Sequence, residues 1–387
     1  MKIVVVDPSS FTAHYDANLC HALAARGHDV TLDTSEFLFE RVRPLGAYEV
    51  RNRFFGILDD RPALAAAPLA RRAVKAAVYP FELARWARTL RRSPPDVVHL
   101  QWSLLPFWDS RIFEGIRERG VRFVYTVHDV EPLPGSSWTA MGSSRLYRHA
   151  DALVAHSEHS RRRLVWDFGL AAERIHVVPL GGPGAFAQSP LPQSEARVRL
   201  GLKPDCVYLL FFGLIKRHKG LDLLLEAFAL ALRERTELRL LVAGMPMQPW
   251  RTYARQIDRL GIADALDLHL NYVPSENLPL YFCAADLVVL PYRSTYQSGV
   301  VLAAYSFDRP VLATWVGGMR EQVDEGITGF LAPPEVNGLA RGLIDATADP
   351  DTLRSMRSAA GTRVRGLHGW DLIAARHEKI YESIPRS

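Results

Sequence analysis

Residues Phe211–Phe228 read FFGLIKRHKGLDLLLEAF. An apolar run ends at Gly213, and a loop carrying Lys216, Arg217, His218 and Lys219 follows. Gly220 then opens a stretch with Leu224, Ala227, Phe228 and Leu232 at helical spacing. This is a buried strand turning through glycine into a helix. Such a turn suits an anion, because the free N–H groups of the helix N-terminus and the loop cations can meet the same phosphate oxygens. An exposed basic turn with no ligand is the plain alternative, and this stretch alone does not separate the two.

The same rhythm extends on both sides. Strand-like Val/Leu/Ile runs fall at 2–6, 29–33, 96–101, 121–127, 152–156 and 175–179, then at 207–213, 238–243, 265–270, 286–291 and 310–314. Helical patterns separate them, such as Tyr15–Arg26 with Gly27 as its stop. Near-continuous apolar strands alternating with helices predict an α/β protein of two doubly wound parallel-sheet domains. Gly181–Asp205, GGPGAFAQSPLPQSEARVRLGLKPD, is the weakest-patterned stretch. The expected division is a first domain over 1–182, a linker over 183–205 and a second domain over 206–369. Ligands are expected at the carboxyl ends of the strands, where the two domains would face a central cleft.

Three further stretches place polar residues at such strand ends. In Leu290–Val323, a strand ends at Pro291 and runs into Arg293–Ser298, with Ser298 a suitable N-cap for the helix opening at Gly299. In VYTVHDVEPLPG, Val124–Gly135, a strand emerges directly into His128-Asp129, and His156 repeats that placement one strand later. The first strand runs into Pro8–His14, a loop of small residues before its helix. Asp349-Pro350-Asp351 reads as a helix cap with proline in the first turn.

Composition narrows the class. The chain has 387 residues, 48% hydrophobic and 23% charged, which excludes disordered and fibrous proteins. No run of about 18 apolar residues occurs, and the opening Met1–Asp7 predicts no secretory leader. Cys20, Cys206 and Cys283 are far apart, giving neither a disulfide framework nor metal-ligand spacing, so a cytoplasmic protein is expected. The G-x-x-x-x-G-K-[ST], H-E-x-x-H and G-x-S-x-G motifs are absent. No obligatory metal or cofactor is expected, and no nucleic acid partner.

With these residues placed, the chain resembles the family-4 glycosyltransferases, retaining sugar transferases of the GT-B fold. The resemblance spans nearly the whole chain and rests on Lys219-Gly220, His128-Asp129, the Asp96–Gln101 strand, the Ala150–Ser160 block, the Gly317–Val323 block and the closing Trp370–Ile384 segment. It implies two Rossmann-like domains, the first binding a hydroxyl acceptor and the second a nucleoside diphosphate sugar. The closing helix, about 370–387, would pack back on the first domain. His128 and Lys219 would be catalytic. Gly213, Lys216, Arg217, Lys219, Tyr296, Gln297, Ser298, Gly299, Val300 and Glu321 would bind the donor. Ser10, Phe11, His14 and Asp129 would meet the acceptor, a polysaccharide, a glycolipid or a secondary metabolite. Transfer would retain configuration without a metal. The alternatives are a nucleotide-sugar epimerase or phosphorylase of the same fold, or a non-catalytic GT-B subunit.

Two positions depart from the family. Aligned on Pro310, its pair of glutamates falls on Tyr296 and Ala303, so the carboxylate that holds the ribose has no counterpart at Ala303. Positive charge is also concentrated elsewhere. Residues 61–95 carry eight basic residues, Arg61, Arg71, Arg72, Lys75, Arg85, Arg88, Arg91 and Arg92, against one acid, Glu82. Leu64–Arg92 reads as a helix or helix pair broken near Pro80, with Leu69, Val74, Val78, Phe81, Leu83, Trp86 and Leu90 between the cations. An ordinary surface helix and a peripheral contact with the inner face of a membrane are both open readings. A monomer or a dimer is expected.

Overall fold

The computed structural model describes residues 1–59, 68–130, 137–186 and 190–385. They divide into two compact units, one of Met1–Pro179 with the chain from Trp370 onward, the other of Leu180–Gly369.

The first unit is built on a parallel sheet of β1 (Lys2–Asp7), β2 (Asp29–Thr34), β3 (Glu49–Asn52), β4 (Val97–Leu100), β5 (Arg122–Val127), β6 (Ala152–Ala155) and β7 (Ile175–Val177), in the order β3-β2-β1-β4-β5-β6-β7. The second carries β8 (Val207–Phe212), β9 (Leu238–Ala243), β10 (Leu266–His269), β11 (Leu287–Leu290), β12 (Val311–Thr314) and β13 (Gly329–Ala332), in the order β10-β9-β8-β11-β12-β13. Every pairing in both sheets is parallel. The central strands are buried along their length, as a sheet covered by helices on both faces requires. Strand order reverses between β1 and β4 in one sheet and between β8 and β11 in the other. Loops diverge at such a point and leave a crevice beyond the carboxyl ends of the strands.

Two strands, β3 and β13, fall outside the runs expected from the sequence, and both lie at sheet edges. Edge strands need less burial, and β3 is largely exposed along EVRN. At β13, Gly329 is required, because a Cβ there would overlap the Val311 carbonyl oxygen of β12.

Three expectations are corrected. The helix expected to break near Pro80 is continuous over Pro68–Leu90. Tyr79, Leu83, Trp86 and Leu90 form one buried stripe along it. Tyr79 Oη donates to Asp109 Oδ1 at 2.6 Å and Trp86 Nε1 to Asp33 Oδ2 at 2.7 Å, anchoring the segment that includes and follows the proline. Phe81 does not belong to that stripe. Two residues beyond Tyr79 it sits about 200° around the helix, and it is 78% exposed. Arg61 and the expected helix start at Leu64 lie outside the described residues.

The stretch 183–205 is not a free linker. Residues 187–189 lie outside the described residues, but Gln193–Arg199 is a helix belonging to the second unit. Arg197 donates to Asp286 Oδ2 at 2.7 Å and Gln193 Nε2 to Asp286 Oδ1 at 2.9 Å, fixing the helix beside β11. The chain passes between the units at Pro179–Leu180 and Gly369–Trp370. The terminal helix Trp370–Ser383 packs on the helix Ala13–Ala25 of the first unit, where Arg26 and His28 both bind Glu378.

Candidate active site

In the second unit the loops after β8 and β11 meet at the switch point. Gly213 ends β8 with φ 100° and donates its N–H to Ala243 O at 2.9 Å. Residues Arg217–Lys219 form a single 3₁₀ turn, and Gly220, in the left-handed region at φ 69°, opens the helix Leu221–Glu234. A Cβ at Gly220 would overlap the Pro291 carbonyl oxygen, so glycine lets the turn close onto the end of β11. The two loops are then pinned together. Arg293 N donates to His218 O at 2.7 Å, and its guanidinium grips Asp222 through two bonds of 2.6 and 3.0 Å.

This closure aims Lys219 inward. Its Nζ lies 5.5 Å from the Tyr292 ring centroid and 2.9 Å from where a Cβ on Gly213 would stand; Val300 Cγ2 lies 3.9 Å from that same point. Arg217 points to solvent, while Lys216 and His218 are half-buried. Burial, helped by the charges of Lys216 and Lys219, lowers the His218 pKa, so this imidazole adds no charge at neutral pH.

The loop after β11 is organised around Ser298. Its Oγ accepts from Val300 N at 3.2 Å, capping the helix Gly299–Ser306, and lies 3.4 Å from Tyr292 Oη. Its backbone is clamped by Gln322, whose Oε1 accepts from Ser298 N at 2.7 Å and whose Nε2 donates to Ser298 O at 3.2 Å. The Ser298 and Val300 N–H groups are thus satisfied internally. Among the described residues the Gly299 N–H has no acceptor, and Gln297 Oε1 is enclosed without a donor. Tyr296 and Gln297 are half-buried, and Ala303 is buried in the apolar cluster. Glu321 is exposed on the short helix Met319–Gln322, turned away from the clamp its neighbour makes.

In the first unit the residues just beyond β4, β5 and β6 stand side by side. His128 Nε2 lies 3.1 Å from Gln101 Oε1, and its Nδ1 lies 3.2 Å from His156 Nε2. His156 Nδ1 reaches Val178 O at 2.9 Å. Trp102 stacks on His128 with centroids 4.9 Å apart at 7°, and Tyr15 presents its ring edgewise to both histidines. Burial drives His128 well below the ordinary histidine pKa and His156 down to about 4, so both are neutral near pH 7.

The residues expected at the acceptor divide. Ser10 is buried at the β1 loop with φ 53°, and Phe11 is exposed with its ring 5.3 Å from Trp102. Asp129 is exposed beside His128. His14 is turned away, with Nε2 2.7 Å from Glu40 Oε1 and Phe37 against its ring. Lys75 reaches this region from the helix Pro68–Leu90, its Nζ donating to Ser9 Oγ at 3.1 Å.

Two reversing parallel sheets, one with a glycine-flanked lysine at its switch point and the other with a buried histidine pair, describe a GT-B type enzyme. The comparisons agree. Residues 206–349 match the family model described as "Glycosyl transferases group 1", and residues 13–181 match "Glycosyltransferase Family 4". The chain is 32% identical over 308 residues to the D-inositol 3-phosphate glycosyltransferase of Thermobispora bispora, covering 74% of this chain and 70% of that protein. It is also 32% identical over 291 residues to D-inositol 3-phosphate glycosyltransferase 1 of Catenulispora acidiphila, covering 69% and 68%. Among solved structures, sucrose-phosphate synthase from Thermosynechococcus elongatus superposes with a TM-score of 0.75 at 19% identity, over 99% of this chain and 98% of that one. Anabaena HepE in complex with UDP and glucose gives 0.73 at 21%, over 99% and 100%. The chain belongs to the family-4 glycosyltransferases and has the GT-B fold. It is an enzyme of sugar transfer. Among the described residues no helix is long and apolar enough to cross a membrane, and no cluster of three His, Cys, Asp or Glu could hold a metal ion.

Proposed function

We propose that the second unit binds a nucleoside diphosphate sugar and that its hexosyl group passes, with retention of configuration, to a hydroxyl of an acceptor held by the first unit. The observation that carries this reading is Lys219, held against Gly213 and the Tyr292 ring at the β8/β11 switch point. There its ammonium meets the diphosphate, together with the Gly299 N–H at the next helix N-terminus. As the bond from the anomeric carbon to the diphosphate oxygen breaks, negative charge grows on that oxygen. Lys219 stabilises it where it forms, with no metal needed. The acceptor O–H attacks the same face, and its proton passes to the departing phosphate oxygen. His128 serves the transferred sugar.

The acceptor we infer is a polyol phosphate. The relatives are named for an inositol 3-phosphate, and in this chain Lys75 and Ser9 supply a cation and a hydroxyl at the β1 loop. A second surface reading concerns the helix Pro68–Leu90. Phe81 stands exposed on the same helix face as the exposed Arg85 and Arg88, an arrangement suited to the anionic cytoplasmic face of a membrane.

Calorimetric titration with UDP, GDP, ADP and dTDP and their sugars tests the donor, with and without EDTA. Binding of at least one nucleotide, unchanged by EDTA and lost in Lys219→Ala, is expected. Proton NMR of the product formed with that donor and inositol phosphates reports the anomeric outcome. An inverted product removes retention. Binding of vesicles containing anionic lipid, weakened in Phe81→Ser, tests the surface reading.

A further inference from the structure

We propose that Val178, His156, His128 and Gln101 form one directed hydrogen-bond chain that fixes His128 as its Nδ1–H tautomer, leaving Nε2 an acceptor that selects a hydroxyl on the substrate. This rests on the reading that His128 serves the transferred sugar, and it makes His156 and Gln101 positioning residues.

The direction of the chain follows from its fixed end. Val178 O has only lone pairs, so the hydrogen in the 2.9 Å contact belongs to His156 Nδ1. His128 and His156 are 6% and 7% exposed, and desolvation keeps both rings neutral, each with a single N–H. His156 Nε2 is therefore a lone pair, and the hydrogen in the 3.2 Å contact belongs to His128 Nδ1. By the same count His128 Nε2 is a lone pair. It faces Gln101 Oε1 at 3.1 Å, a second acceptor, while Gln101 Nε2 is buried with no partner. A half-turn of the carboxamide exchanges O and N without changing shape and sets an N–H on His128 Nε2. The atom then left unpaired is an oxygen, which tolerates this better than an N–H does.

The ring cannot turn over to escape this assignment. Trp102 covers one face in a 7° stack, Tyr15 abuts it at 87°, and turning would break the His156 contact. A substrate group enters at Nε2 only by donating to it while accepting the released Gln101 N–H, which would otherwise be left buried and unpaired. A neutral sugar hydroxyl does so. A carboxylate or phosphate oxygen presents lone pair to lone pair and is refused, so the chain favours a neutral hexose over a uronic acid.

The test is long-range proton–nitrogen NMR of the whole chain labelled with ¹⁵N-histidine, assigned with His128→Gln and His156→Gln. Both residues should appear as neutral Nδ1–H tautomers from about pH 5.5 to pH 8. An Nε2–H signal for His128, or a charged ring in that range, overturns the proposal whatever the activity. In turnover, His156→Ala should lower kcat about tenfold with donor KM unchanged, the loss of one orienting hydrogen bond. His156→Gln, whose amide oxygen replaces the Nε2 acceptor, should recover to within about threefold. Equal loss in both variants rejects the positioning role. Failure of the underlying sugar reading looks different: His128→Ala would turn over normally while the wild-type tautomers stayed as stated.

Discussion

The Lys219 ammonium lies 5.5 Å from the centroid of the Tyr292 ring, and the two residues come from the loops on opposite sides of the β8/β11 switch point. An aromatic face holds a cation without neutralising it. No carboxylate pairs with Lys219 among the described residues, whereas Arg293, one residue after Tyr292, is fully engaged by Asp222. The fold therefore engages one cation of this region in an ion pair and leaves the other against an aromatic ring.

Removing that charge should be costly. Lys219→Ala is expected to lower kcat/KM for the donor about 10²- to 10³-fold, the scale for losing one oriented group that stabilises transition-state charge. Lys219→Arg should recover part of it, and Tyr292→Leu should lose only about three- to fivefold, the worth of an exposed cation–π contact. Steady-state kinetics with the donor found by titration checks the order. A Tyr292 variant as impaired as Lys219→Ala would show that the ring does more than seat the lysine.

Gly213 sets the room Lys219 occupies. At φ 100° with Lys219 Nζ 2.9 Å from a Cβ position, Gly213→Ala meets both backbone strain and the ammonium itself. It should cost about 1–2 kcal/mol of stability and displace Lys219. Thermal unfolding together with nucleotide titration separates the effects. Lost stability with unchanged nucleotide affinity would show that the lysine relocates without penalty.

Sequence patterning revealed the architecture well, for a physical reason. Strands buried on both faces must be apolar throughout, so β1, β8 and β9 show themselves in KIVVVD, VYLLFF and LRLLVA, while edge strands such as EVRN need no such pattern. Candidate site residues were legible where a backbone event marked them. Gly213 and Gly220 flank Lys219, and His128 follows a strand directly. Tyr292, Gln322 and Trp102 had no such mark, because their roles come from contacts between loops far apart in the chain. Gln322 is one residue from Glu321, and only the helix phase decides which of the two faces Ser298.

Gln322 offers a test of that phase. Gln322→Ala removes both bonds to the Ser298 backbone and should cost about 1–3 kcal/mol while raising donor KM, since the loop bearing Gly299 loses its clamp. Gln322→Glu keeps the acceptor for Ser298 N but sets a carboxylate against Ser298 O in a buried place, so it should be no better than alanine near pH 7. Melting temperatures of the two variants decide. If glutamate preserved full stability, Ser298 would not depend on the donated bond.

Buried titrating groups of the first unit act in opposite directions with pH, so single-site differences are more telling than the overall curve. His156 is depressed to about 4 by desolvation, below its unfolded value of 6.5. Its contribution is full above about pH 6.5 and lost as pH falls toward 4, because the unfolded chain takes up the proton first. The stability gap between wild type and His156→Gln should therefore shrink by on the order of 3 kcal/mol across that range. Asp109, raised by burial to about 6 from 3.8, behaves in the reverse sense. Desolvation favours its protonated form in the native state, outweighing the bonds it accepts from Tyr79 Oη and Leu105 N, which favour the carboxylate. That stabilisation is present below about pH 4 and lost as pH rises through 6. Asp109→Asn, which cannot ionise, should gain on wild type by on the order of 3 kcal/mol between those limits. Urea unfolding of the three proteins at about pH 4, 5, 6 and 7 measures both gaps. Gaps that move in the same direction would mean that at least one of these groups titrates in contact with water rather than in the core where it is found.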